Sequence, residues 1–100
     1  MKFDQAQAAM RDGRRVARRG WNGKGMFAYY VPGGVYPAQV EAIKGEFPND
    51  MVPYKPYYAL KTAQECVSVW VPSIGDIDAD DWYVIQSLGE LSCLKNKDVK

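Results

Sequence analysis

The apolar positions of the first segment recur with a helical period. Phe3, Ala6 and Met10 fall at i, i+3 and i+7, one stripe on a helix spanning Phe3 to Gly13. Asp4 is placed to cap its start, with Gln7 three residues on, and Gly13 to stop it. A helix this short is not stable alone, so the stripe must pack on something. Arg14 to Arg19 sets Val16 and Ala17 among four arginines and reads as a short extended segment. Trp21-Asn22-Gly23-Lys24-Gly25-Met26 is a loop, because Asn-Gly and a second Gly supply turn chemistry. Phe27 to Val31, aromatic and β-branched, is a strand ended by Pro32-Gly33-Gly34.

Further along, the pattern weakens and returns. Val35 to Lys55 reads as an elaborated loop, with a helical turn or two in Gln39 to Lys44 and a turn at Phe47-Pro48-Asn49-Asp50. Pro53 and Pro56 argue against regular structure there. Tyr57 to Thr62 and Cys66 to Val71 are two strands joined by Ala63-Gln64-Glu65 in a hairpin. Ile74 to Asp80 is a turn-rich acidic stretch. Asp81 to Gln86 is a last strand whose Trp82 and Val84, with Ile85 as a further candidate, form the apolar side, Trp82 lying in the core. Leu88, Leu91 and Leu94 are spaced for a short C-terminal helix. The fold class is α+β: one domain, an N-terminal helix packed on a small, mainly antiparallel β-sheet.

Composition changes this picture in one respect. With 3 Trp and 7 Tyr in 100 residues, the chain holds more amphipathic ring than one small core absorbs. The surplus points to an oligomer interface, a ligand pocket, or both. The formal net charge of +1 argues against a nucleic-acid polymer as partner. Charge is nevertheless uneven. Lys2, Arg11, Arg14, Arg15, Arg18, Arg19 and Lys24 crowd the first quarter, and Asp76, Asp78, Asp80 and Asp81 crowd one late stretch. Two readings stand: the segments neutralise each other, or the arginines face a phosphate.

The chain has no histidine and two cysteines. That removes imidazole base chemistry, Ser-His-Asp and Cys-His arrangements, and clustered Cys/His metal sites. No phosphate-cradling Walker loop occurs, and the Gly20, Gly23, Gly25 spacing is not a dinucleotide fingerprint. Asp76, Asp78 and Asp80 alternate like a calcium loop, but the twelfth position is Ser87 rather than Glu. No segment has the apolar length of a membrane span or a secretion signal. The expectation is a cytosolic protein with reduced thiols, without cofactor or metal, and a binder rather than an enzyme.

Two tryptophan-centred segments carry the remaining chemistry. One is Arg18-Arg19-Gly20-Trp21-Asn22-Gly23-Lys24-Gly25-Met26; the other is Trp70-Val71-Pro72-Ser73-Ile74-Gly75-Asp76, followed by Asp81-Trp82. Each sets an aromatic face beside small polar groups. A nucleotide needs such parts: a ring to stack on, cations or N–H groups for phosphate, and Asn, Ser or Asp for ribose. Equally, a lone Trp is usually core and a Gly-rich turn usually only a turn.

These segments, with Tyr58-Ala59-Leu60-Lys61-Thr62-Ala63 between them, resemble the phage family called Thoeris anti-defence protein type two. The likeness covers residues 3–86 in order. It implies a homotetramer that binds glycocyclic ADP-ribose signals of TIR-domain enzymes without cleaving them, in the cytoplasm of the bacterial host. Some relatives are similar to binders of cyclic dinucleotides. Carried onto this chain, the motifs imply Trp21 and Asn22 near the ligand, Lys24 or Arg18 toward phosphate, and Ser73 and Asp76 toward ribose or base edges. Met26 and Trp70 complete the expected ligand-binding set. Residues 1–86 form the signal-binding domain; 35–57 is an insertion loop and 87–100 a C-terminal extension. The rival readings are a protein inhibitor of a host defence enzyme, a signal-degrading enzyme, and a nucleic-acid binder.

Overall fold

The computed structural model describes residues 1–86; the expected helix around Leu88, Leu91 and Leu94 lies outside them, as does Cys93. Helix α1 spans Phe3–Arg11. Its end is a Schellman turn: Gly13 adopts φ +93°, its N–H reaches the Met10 carbonyl (2.9 Å), and the Arg14 N–H reaches Ala9 (3.0 Å). Its start differs from the expectation. Lys2 occupies the cap position, and Gln5 Oε1 accepts from the Lys2 N–H (2.9 Å), while Asp4 sits inside the first turn. The cause is Met1, whose carbonyl accepts from the Trp82 N–H (3.1 Å) and whose nitrogen donates to the Trp82 carbonyl (2.8 Å). Held there, the chain enters the helix early, and Asp4 meets the positive end of the helix dipole instead of capping it. Gln7, freed from the cap, donates to the Tyr58 hydroxyl at 2.9 Å.

The strands are β1 (Arg15–Arg18), β2 (Phe27–Val31), β3 (Gly34–Pro37), β4 (Met51–Tyr54), β5 (Tyr57–Lys61), β6 (Val67–Val69) and β7 (Trp82–Ile85). Among the described residues they form a five-stranded sheet in the order β6-β5-β2-β1-β7, with every pair antiparallel, and a separate two-stranded sheet of β3 and β4. Helix α1 lies on one face of the larger sheet. Ala6 and Met10 meet Val16, Ala28 and Trp82, and this is the core. Among the described residues, four of the eight buried apolar ones are alanines (Ala6, Ala17, Ala28 and Ala59), so helix and strands approach closely but bury little volume. Trp82 is the largest buried side chain among the described residues, at 2% exposure.

The region expected to be irregular is organised. Val31 pairs with Tyr57 across β2 and β5, and the chain between them leaves as the β3–β4 arm. Pro53 sits within β4, opposite Val35. Proline is tolerated there because in a two-stranded sheet each strand is an edge, and the missing N–H costs no ladder bond on the outer side. Short 3-10 turns at Glu41–Ile43 and Pro48–Asp50 close the arm, and Asn49 takes φ +57°. The acidic stretch likewise becomes a short helix, α2 (Ile74–Asp78).

Candidate functional site

The two tryptophan segments converge where β1, β7 and α2 meet. Trp21 and Trp82 stand edge to face, with centroids 5.3 Å apart and planes at 80°. Trp70 closes the group at 6.3 Å from Trp21 and 6.1 Å from Trp82. Edge-to-face packing sets the positive rim of one indole against the negative face of the next. Trp82 is the buried member, and Phe3 packs against it at 5.7 Å. Trp21 and Trp70 remain half-buried. The site is thus an open aromatic surface resting on the core.

Helix α2 brings the carboxylates to this surface. Ser73 caps it: its Oγ accepts from the Asp76 N–H (3.1 Å), and Asp76 Oδ2 accepts from the Ser73 N–H (3.1 Å). The Ser73-x-x-Asp76 spacing carried that signal in the sequence, but the glycine and the acidic run around it read as turn. The cap turns Asp76 inward, to 9% exposure. Its Oδ1 accepts from Arg18 Nη1 (2.9 Å) and from Trp21 Nε1 (3.2 Å), and its main-chain carbonyl accepts from Trp82 Nε1 (2.9 Å).

Arg18 also grips Asp81, Nε to Oδ1 at 2.8 Å, and the second Asp81 oxygen accepts from the Gly20 N–H at 2.9 Å. The register explains the meeting: Arg18 lies opposite Trp82, so Asp81 stands beside the exit of β1. Burial pushes the Asp76 carboxyl up, but the Arg18 guanidinium, the Ser73 N–H and the Trp21 indole outweigh it and hold it below the usual carboxylate range. For Asp81 the Arg18 bond comes first and the Gly20 N–H adds to it, again lowering the pKa.

Of the two readings of the arginines, Arg18 thus neutralises the acidic segment within the chain. Three of the other four lie over rings: Arg11 over Tyr30 (5.3 Å), Arg15 over Phe27 (4.9 Å) and Arg19 over Tyr83 (4.7 Å). Asp81 was missed as the second anchor of Arg18; adjacency to Asp80 masked it, and only strand register separates the two.

The loop residues have different surroundings. Asn22 and Lys24 are exposed, and Lys24 makes no ion pair among the described residues. Met26 is half-buried, and a Cβ on Gly23 would collide with its sulfur and with Ala63, which accounts for glycine there. Lys61 Nζ donates to the Gly25 carbonyl at 3.2 Å and ties the loop to β5. The expected residues Arg18, Trp21, Trp70, Ser73 and Asp76 therefore come together in direct contacts, while Asn22, Lys24 and Met26 follow Trp21 along its loop. Two clefts lie elsewhere. One of about 420 Å³ lies between the arm and the sheet, near Tyr36, Tyr54 and Tyr57; one of about 300 Å³ lies over Phe27, Arg15 and Lys61. Among the described residues no cluster of acidic or cysteine side chains is arranged to hold a metal, and no helix is long and apolar enough to cross a membrane.

Fold and site together define a class: a small α+β domain whose N-terminal helix and five-stranded sheet support an aromatic surface clamped by an arginine and two aspartates. The chain belongs to the Thoeris anti-defense 2-like domain family, whose model matches residues 1–85. It is similar to the Thoeris anti-defense 2 protein of Bacillus phage SP01, with 33% identity over 85 residues, covering 85% of this chain and 94% of that protein. Membership supports a phage anti-defence role.

Proposed function

We propose that this protein carries out its anti-defence role by sequestering a cyclic nucleotide immune signal of the glycocyclic ADP-ribose type in the host cytoplasm, without cleaving it. Cyclic dinucleotides are further candidates. The observation that carries this reading is the pair of half-buried indoles, Trp21 and Trp70, braced edge to face beside a loop that exposes Asn22 and Lys24. A base stacked on such a ring gains about 1–3 kcal/mol. Lys24 offers a cation to phosphate, and Asn22 and Ser73 offer groups to ribose. The absence of cleavage fits the same cluster. Asp76 and Asp81 are engaged by Arg18 and by N–H donors, so neither stands ready as a general base, and the sequence has no histidine.

We also propose a homotetramer in which the indole surface is completed by a neighbouring protomer. The thin alanine-rich core and the exposed Val71 (83%) and Ile74 (78%), which flank Ser73, support it. Neither a nucleic-acid polymer nor a membrane is a partner in this reading.

The test is incubation with glycocyclic ADP-ribose, removal of unbound ligand, heat denaturation and mass analysis of what is released. Intact ligand in stoichiometric amount is the expected result. Altered product would make the protein an enzyme. No captured ligand would favour the other reading that the exposed Val71, Ile74 and Ile77 surface allows: inhibition of a host defence enzyme by direct contact.

A further inference from the structure

We infer that Asp76 is a positioning residue, orienting Trp21 so that this indole offers a ligand its ring surface and nothing else; the inference rests on the nucleotide-binding reading above. An indole has one polar atom, the Nε1 donor. That of Trp21 is spent on Asp76 Oδ1 at 3.2 Å, and that of Trp82 on the Asp76 carbonyl at 2.9 Å. One residue therefore fixes two of the three rings.

Asp76 itself is occupied. Oδ1 is shared by Trp21 and Arg18, Oδ2 is held by the Ser73 N–H, and the residue is 9% exposed. A ribose hydroxyl reaching Asp76 would have to displace a charge-assisted bond made in a partly buried setting, where it is stronger than in open water. Arg18 is committed in the same way, with Nη1 on Asp76 and Nε on Asp81. It acts as the clamp that keeps Asp76 charged and in place, which leaves Lys24 as the phosphate group of the loop. Recognition at Trp21 then proceeds by stacking, and discrimination between bases comes from other groups.

The experiment has one arm without ligand and one with it. In a nitrogen-15 correlation spectrum the Trp21 indole signal is identified by its loss in Trp21→Phe. In Asp76→Asn, which keeps the side-chain volume but replaces the carboxylate acceptor, that signal should move upfield and exchange faster with water. The Trp70 signal should stay. If Asp76→Asn does not fold, Arg18→Gln, which removes the clamp, should shift the same signal. An unmoved Trp21 signal overturns the inference.

In the second arm glycocyclic ADP-ribose is the probe. Asp76→Asn and Trp21→Phe should each weaken binding about tenfold, and the double variant should be no more than about twofold worse than Trp21→Phe, because coupled residues are not additive. Fully additive losses would mean that Asp76 touches the ligand itself, and would also overturn the inference. If the parent protein ignores the probe, the nucleotide reading fails alone, and the spectrum still decides whether Asp76 positions Trp21.

Discussion

Two aspartates share one guanidinium at the end of β1, and both carboxyls are held below their ordinary range. A carboxyl with a depressed folded pKa binds protons more weakly in the folded than in the unfolded state. The stability it supplies is present above the unfolded value near 4 and is lost as pH falls through the folded one. Stability to urea should therefore be flat near neutrality and fall as the medium is taken from about pH 5 to pH 3. Asp76→Asn and Asp81→Asn should each be less stable than the parent at pH 7 and show a shallower acid slope. Parent-like slopes in both variants would remove the clamp from the account of stability. At this scale the sequence named most of the cluster, since Arg18, Trp21, Trp70, Ser73 and Asp76 stood in two motifs. It did not reveal that Arg18 faces Asp76 and Asp81, because ion pairing between residues about sixty apart depends on strand register.

Among the elements, α1, β2 and β5 announce themselves by period or by β-branched and aromatic runs, and each forms in the stretch its pattern marked, with α1 capped by Lys2 rather than Asp4. Helix α2 did not, being five residues long with a glycine at its second position. Its existence rests on the cap. Ser73→Ala should cost about 1 kcal/mol, and Gly75→Ala, where a new Cβ meets only Ser73 Oγ at 3.6 Å, should gain about 0.5–1 kcal/mol. Thermal melting of both variants checks the pair, and a parent-like melting temperature for Ser73→Ala would show the cap to be dispensable.

The β3–β4 arm was hidden by Pro53. An isolated two-stranded hairpin is marginal in water, and this one buries only Val52 among its strand residues. Because Val31 already pairs with Tyr57, replacing residues 32–56 by Asn-Gly should close an ordinary two-residue hairpin. The shortened protein should keep the near-ultraviolet signature of the indole cluster. Loss of that signature would show that the arm supports the core.

For the whole molecule, the balance between buried and exposed apolar groups matters most. Among the described residues Trp82, Met10 and Val16 are the large side chains fully enclosed, while Val35, Tyr36, Val40, Val67, Val69, Val71 and Ile74 are each more than half exposed. A lone protomer leaves that surface in water, so light scattering should return a mass several times 11.3 kDa. Introducing charge beside the indole surface with Ile74→Asp should lower the mass and weaken ligand capture together. A parent protein that runs as a monomer would end the shared-site proposal.

What the sequence determined by itself was local. The stripe of Phe3, Ala6 and Met10, the turn chemistry around Gly23, the hairpin at Ala63-Gln64-Glu65 and the aromatic surplus follow from neighbours along the chain, where period and backbone preference act. The partners of those groups were decided only by the tertiary structure. Pairing of β1 with β7 brings Asp81 to Arg18, the cap of α2 turns Asp76 toward Trp21, and an edge position admits Pro53 to a strand. The first and last depend on which strands become neighbours; the cap itself is local, but where it aims Asp76 is settled by the packing of the whole core around Trp82.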